Sequence, residues 1–235
     1  MAAKIDRKKL LKQPDEFLTF SDRAIKWARD NMQRVLIIAS ALVAALVIVI
    51  GIKAYLDYHQ RQAAAALAPV MAGYQVVVEG KADAKMMASL ADQLSKVTKD
   101  YGATPAGKQA RLALGDLLLT LGRYPQAVKV FSALSQESDL PGALSPMAWR
   151  GLGQAQEGAK NYAAAAAAYG KAVELAGPHL RRLCLLDRAR VLGAAGDKKA
   201  AGDILRKLLA DPAAAAVAQR ARVGLSALGL EASGG

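Results

Sequence analysis

One stretch of the chain shows no alternation of apolar and charged positions. Residues 35–52, VLIIASALVAALVIVIGI, run eighteen positions without a charge, closed by Arg34 and Lys53. A membrane-crossing helix needs about 20 mostly apolar residues. Arg34 and Lys53 extend the run by reaching toward headgroups. A core helix of a soluble domain would carry a polar stripe. The pattern therefore predicts a transmembrane helix. Thirty-four residues precede it and no small-x-small cleavage site follows in GIKAYLDYHQ, so an uncleaved signal anchor is expected.

On its N-terminal side the pattern turns helical. Phe17, Leu18, Phe20, Ala24, Ile25, Trp27, Ala28 and Met32 recur near helical spacing, and Lys26, Arg29, Asp30 and Arg34 take the remaining positions. Pro14 followed by Asp15 and Glu16 suits a first helical turn. These features predict an amphipathic helix at the membrane interface, preceded by a short basic leader. Arg23, Lys26, Arg29 and Arg34 lie within 20 residues before the span, and Lys53 and Arg61 within 20 after it. The positive-inside rule then puts the N-terminus in the cytoplasm and the larger C-terminal part across the membrane. In a bacterium that compartment is the periplasm.

Beyond the span the chain reads as helices with short breaks. A stalk from Lys53 to about Glu79 is expected to be interrupted at Pro69. EGKAD breaks the pattern, residues 84–101 form a helix, and GATP stops it. Three similar stretches follow, starting at Ala110, Ala148 and Leu185, each a helix, a Gly-containing turn and a second helix. Tyr124, Tyr162 and Lys198 hold corresponding places, 38 and 36 residues apart. Such periods indicate stacked supersecondary units.

The units resemble the tetratricopeptide repeat, a helix–turn–helix of about 34 residues. Leu114, Gly115, Leu118, Gly122, Tyr124, Ala127 and Phe131 stand at its signature offsets in the first. Trp149, Leu152, Gly153, Tyr162, Ala165, Tyr169 and Ala172 do so in the second, closed by Gly177 and Pro178. Ala189, Leu192, Gly196, Ala201, Leu205 and Leu208 keep the sizes in the third but lose the aromatics. The small residues suit close helix approach within a hairpin, and Tyr and Phe fill gaps between hairpins. Residues 213–228 would cap the stack, with Arg220 and Arg222 toward solvent. Residues 84–101 would complete a degenerate first unit with the stalk.

The expected fold class is thus all-α: one N-terminal transmembrane helix followed by an α-helical hairpin solenoid. The expected organisation is a basic, amphipathic tail over 1–34, the span over 35–52, and a stalk with the first helix over 53–83. The repeat domain follows over 84–230, with a disordered tail over 231–235. The layout of a cytoplasmic tail, one span and a periplasmic repeat domain resembles the ancillary tetratricopeptide-repeat subunits of the bacterial Sec translocon. That resemblance implies a place beside the Sec channel and work with periplasmic chaperones. The basic, PDEFLTF-containing tail departs from the short acidic tail of that family's best-known members. A scaffold for another envelope assembly, in division or cell-wall synthesis, is the alternative.

In repeats of this type the first helices of successive hairpins line a groove that takes protein segments. Mapping those offsets gives Gln109, Leu112, Asp116 and Leu119 from the first unit. Arg150, Gln154 and Glu157 come from the second, and Leu186 and Arg190 from the third. A carboxylate clamp of Lys and Asn on adjacent turns is not indicated, because Leu112, Asp116, Arg150 and Gln154 occupy those places.

Composition bears on what remains. Of 235 residues 53% are apolar, and 51 are alanine, which favours helix over sheet. One cysteine, Cys184, excludes an intramolecular disulfide and any multi-cysteine cluster. It lies in the apolar run LRRLCLLDRARVL and is expected to be buried and inert. His59 and His179 are far apart in sequence. GLGQAQEG has the wrong spacing for a dinucleotide loop, and PAGKQA around Lys108 lacks the P-loop's flanking residues. No catalytic, metal or cofactor-binding residue is assigned, so a non-enzymatic, cofactor-free scaffold is expected. The basic run lacks interleaved stacking aromatics, and nucleic acid is not an expected partner. The net charge of +12 is concentrated late. Residues 181–222 carry ten Lys or Arg against four Asp, a surface that would attract acidic partners or lipid headgroups.

Overall fold

The computed structural model describes residues 16–230, with side chains from residue 21 onward. Pro14, Asp15 and the basic leader lie outside the described residues, as do the side chains of Phe17, Leu18 and Phe20 and the tail over 231–235. Among the described residues there are ten α-helices, one 3-10 turn and no strand. They are α1 (Glu16–Asp30), α2 (Met32–Val78), α3 (Ala84–Tyr101), α4 (Pro105–Thr120), α5 (Tyr124–Ser135), α6 (Leu144–Gly158), α7 (Tyr162–Leu175), α8 (Pro178–Ala194), α9 (Lys198–Ala210) and α10 (Ala215–Ala227). The chain divides after Asp57 into two compact units.

In the first unit α1 passes into α2 through a single turn residue, Asn31, whose side-chain amide donates to the Trp27 carbonyl at 3.0 Å. Residues 35–52 lie wholly within α2, and their Leu, Ile and Val side chains from Leu36 onward are exposed all round, Ile37 at 67%. Eighteen residues at 1.5 Å rise span about 27 Å, close to the hydrocarbon thickness of a bilayer. By length and composition this helix is long and apolar enough to cross a membrane.

Pro69 does not interrupt the stalk, contrary to the sequence expectation: α2 runs through it to Val78. Pro69 and Ala65 both sit on the exposed side. The Ala65 carbonyl that loses its amide partner can therefore be hydrated, and Leu67 and Val70 hold the opposite face in the core.

The second unit begins at Tyr58. Residues 58–78 of α2 are not a bare stalk but the first helix of a first hairpin. Leu67 and Val70 share a core with Leu90, Leu94 and Val97 of α3 and with Leu114 and Leu117 of α4. Gly73 lets α3 in: a Cβ there would lie 2.7 Å from Leu90 Cδ2. Hairpins α4–α5, α6–α7 and α8–α9 follow, and α10 closes the series against α8 and α9. The unit has no single centre. One buried cluster spans α2 to α7, a small one with Tyr169 and Val191 joins α7 to α8, and a third joins α8, α9 and α10. Each hairpin is covered by its neighbour.

The four hairpin turns share one geometry. Gly80, Gly122, Lys160 and Gly196 each have φ between 62° and 92°. In each turn the following amide donates five residues back: Lys81 to Val76, Arg123 to Leu118, Asn161 to Gln156 and Asp197 to Leu192, all at 2.8–3.0 Å. This is the Schellman closure, which caps the first helix through one left-handed residue.

The 38-residue interval between Tyr124 and Tyr162 has a local cause. The eight-residue loop 136–143 separates α5 from α6, whereas two or three residues separate α3 from α4 and α7 from α8. Lys108 of α4 is buried and holds this loop, with its Nζ 2.6 Å from Asp139 Oδ2 and 3.6 Å from Glu137 Oε2. Arg111 also pairs with Glu137.

Candidate protein-binding face

The interhelix contacts are set by residue size. Phe131 of α5, fully buried, lies where side chains at Gly115 of α4 and Gly151 of α6 would project. Tyr169 of α7 lies similarly against Gly153, where a Cβ would be 2.7 Å from its ring. One aromatic thus wedges both its own hairpin and the next. First helices of neighbouring hairpins also touch directly, α4 with α6 and α8 with α10. Between these pairs, α6 and α8 are joined by the Arg150–Asp187 ion pair.

A line of polar side chains runs along these first helices. Tyr74 of α2 and Arg150 of α6 both face the Asp116 carboxylate of α4. Arg150 Nε donates to Asp187 Oδ2 of α8 at 2.9 Å. Asp187, only 4% exposed, also accepts from Arg190 Nη2 at 3.2 Å. Arg190 pairs with Glu157 of α6 as well, and the Tyr169 hydroxyl donates to Glu157 Oε2 at 3.0 Å. The opposite charges alternate, so each buried charge has a partner.

This environment shifts several ionisations. Burial pushes the Asp116 carboxyl up to about 6, against the opposing pull of Arg150 and the Tyr74 hydrogen bond. Burial, then the Asp116 charge, pushes the Tyr74 phenol up to about 12. Arg190 is lowered by burial and by the cations Arg220 and Arg150. The Cys184 thiol, buried as expected, is pushed up to about 11, mainly by burial. It stays a protonated thiol at neutral pH, without the thiolate a nucleophile requires.

The structure brings Asp116, Arg150, Glu157 and Arg190 into this one network. Leu112 and Leu119 are half-buried against the core beneath α4. Gln154 is half-buried, and Gln109, two turns before Asp116, is exposed. Leu186 is a core residue packed among α8, α9 and α10. It also lines a cleft of about 560 Å³ between those helices, with Leu205, Val223 and Leu228 as apolar walls and Arg190 and Arg220 as charged ones. Val223 is 59% exposed. Sequence reading missed Tyr74, Asp187 and the hydroxyl of Tyr169. Tyr74 lies in what read as stalk, and nothing at repeat spacing marks Asp187.

The model of the tetratricopeptide repeat matches residues 91–140 and 112–179. Over this range the hairpins α4–α5 and α6–α7 are similar to tetratricopeptide repeats. The matches overlap and cover most of α3 together with the hairpins α4–α5 and α6–α7. They end in the first turn of α8, and beyond it Lys198 and Leu205 stand where the earlier units carry aromatics. No curated protein matches the chain. A match of this kind over residues 91–179 suggests a protein-interaction scaffold.

Proposed function

We propose that this protein is a non-enzymatic, membrane-anchored scaffold. Its first-helix face holds a segment of a partner protein, with Gln109, Leu112, Asp116, Leu119, Arg150, Gln154, Glu157, Leu186 and Arg190 on or under the binding surface. The observation that carries this reading is the continuity of the paired polar line from Tyr74 to Arg190 with the cleft at α8–α10. A polar ridge leading into an apolar recess suits a segment with both apolar and charged side chains.

The finer reading extends to location. Residues 35–52 cross the bacterial inner membrane with the N-terminus in the cytoplasm and the repeats in the periplasm. The four-to-two bias of basic residues around the span supports this orientation. The combination of tail, span and repeats supports a role as a Sec-translocon accessory or a partner of periplasmic chaperones.

Photo-crosslinking residues placed at Gln154 and Val223, in membranes, test both levels. Adducts to translocon or chaperone components are the expected result. Adducts to division or cell-wall enzymes instead would transfer the scaffold to that machinery. Absence of protein adducts from both positions would remove the binding-face reading. Protease protection in spheroplasts checks the orientation: the repeat domain should be cleaved from outside.

A further inference from the structure

The basic excess of residues 181–222 gathers at one place the scaffold reading does not use. A cleft of about 440 Å³ opens between α8 and α9, lined by Arg181, Arg182, Arg188, Lys207 and one acid, Asp211. It shares no residue with the first-helix cleft. Leu185, Ile204 and Leu208 form its apolar wall.

The acid is already engaged. Asp211 Oδ2 lies 3.3 Å from Arg182 Nε, and Oδ1 accepts from the Ala213 amide at 2.9 Å. Arg181 uses its Nε on the Val173 carbonyl at 3.1 Å, leaving its terminal nitrogens. Arg188 Nε is buried with no hydrogen-bond partner. Lys207 is exposed and forms no ion pair among the described residues. Four cations around one acid leave an excess of three positive charges in a recess with an apolar wall. Pro178, at the first turn of α8, borders it too, so the positive end of that helix adds to the field.

We propose that this cleft is an anion site for a phosphate monoester. A carboxylate would answer only one of the three excess charges. A monoester brings about −1.5 to −2 at neutral pH with three acceptor oxygens, which guanidinium forks bind well. The wall of Leu185, Ile204 and Leu208 accommodates the uncharged body of the ester. A soluble phosphomonoester and a phospholipid with a monoester headgroup present the same chemistry.

The test uses the full chain in uncharged-detergent micelles. Inorganic phosphate and glycerol phosphate are titrated against chloride and acetate at matched ionic strength, with thermal midpoint and calorimetric binding as readouts. A second arm dopes the micelles with phosphatidic acid. Saturable stabilisation by phosphate, absent with chloride and acetate, is expected. A response to glycerol phosphate assigns the site to soluble esters, and a response confined to phosphatidic acid assigns it to lipid. Lys207→Gln and Arg181→Gln, both exposed, should each weaken binding about fivefold, the effect of one partly exposed charge contact. Lys171→Gln, a basic residue outside the cleft, should leave it unchanged. Equal effects of phosphate, glycerol phosphate and chloride together with no response to phosphatidic acid, or binding of the responding ligand unaltered in both cleft variants, would overturn the proposal.

Discussion

Arg150 of α6 and Asp187 of α8 meet at 2.9 Å across the boundary between two hairpins. Asp187 is nearly fully buried, and among the described residues the one other cation bonded to it is the exposed Arg190. Truncating Arg150 therefore leaves a buried carboxylate short of a partner. Arg150→Met should lower unfolding stability by about 1–3 kcal/mol. Arg150→Met combined with Asp187→Leu should cost less than the two changes summed, because the stranded charge is gone. Urea unfolding of the four members of this cycle measures it. Additive losses would mean that the pair is not coupled.

Asp116 supplies a pH dependence. Its folded carboxyl titrates near 6, above its ordinary 3.8, because burial disfavours the anion. The folded state therefore holds its proton more tightly than the unfolded chain. This contribution is fully present below about pH 4 and is lost as pH rises through 6. Asp116→Asn should flatten the stability–pH curve between 4 and 7 and raise stability at pH 7.5 by about 1–2 kcal/mol. Asp139, held below its usual range by Lys108, opposes the trend only below that window. Thermal midpoints across pH for the two proteins, with carboxyl titration by NMR, provide the check. Identical slopes would refute the assignment.

The wedge of Phe131 between Gly115 and Gly151 predicts sensitivity to single methyl groups. Gly151→Ala places a Cβ against the Phe131 ring, and the ring, fully buried, has nowhere to move. Overpacking of this kind costs typically 1–3 kcal/mol, despite the better helix propensity of alanine. Phe131→Leu in the same chain should recover part of the loss. Neutral behaviour of Gly151→Ala in denaturant unfolding would show that α5 and α6 can separate at that point.

Lys160 occupies the left-handed turn position that glycine holds in the other three hairpins. A side chain there costs about 1 kcal/mol of backbone strain. Its side chain is exposed and makes no ion pair among the described residues. Lys160→Gly should therefore stabilise the domain by a few tenths to about 1 kcal/mol, after the added chain entropy of glycine is deducted. A calorimetric midpoint equal to or below that of the parent would contradict this.

Much of the architecture was readable because its determinants are local. Asp83 and Thr104 cap α3 and α4 through bonds to the amides of Met86 and Gly107, and helix 84–101 was predicted to the residue. Gly122 and Gly196 announce their turns by identity alone. Lys160 does not: the glycine expected in that turn, Gly158, ends α6 instead, and Lys160 takes the left-handed position. The site was less readable. Asp116, Arg150, Glu157 and Arg190 fall in one polar network because a hairpin repeat puts fixed offsets on one face. Tyr74 was missed because Pro69 suggested a broken stalk, whereas packing of Leu67 and Val70 on α3 keeps the helix intact.

By itself the sequence determined what depends on neighbours a few residues apart: an apolar run long enough for a membrane, the helices, their caps, and the hairpin turns. Only the tertiary structure decided which charges neutralise one another. Asp187 and Arg150 are 37 residues apart, and the cations of the α8–α9 cleft come from two helices. Electrostatic energy depends on separation and burial, and neither quantity exists until the hairpins have stacked.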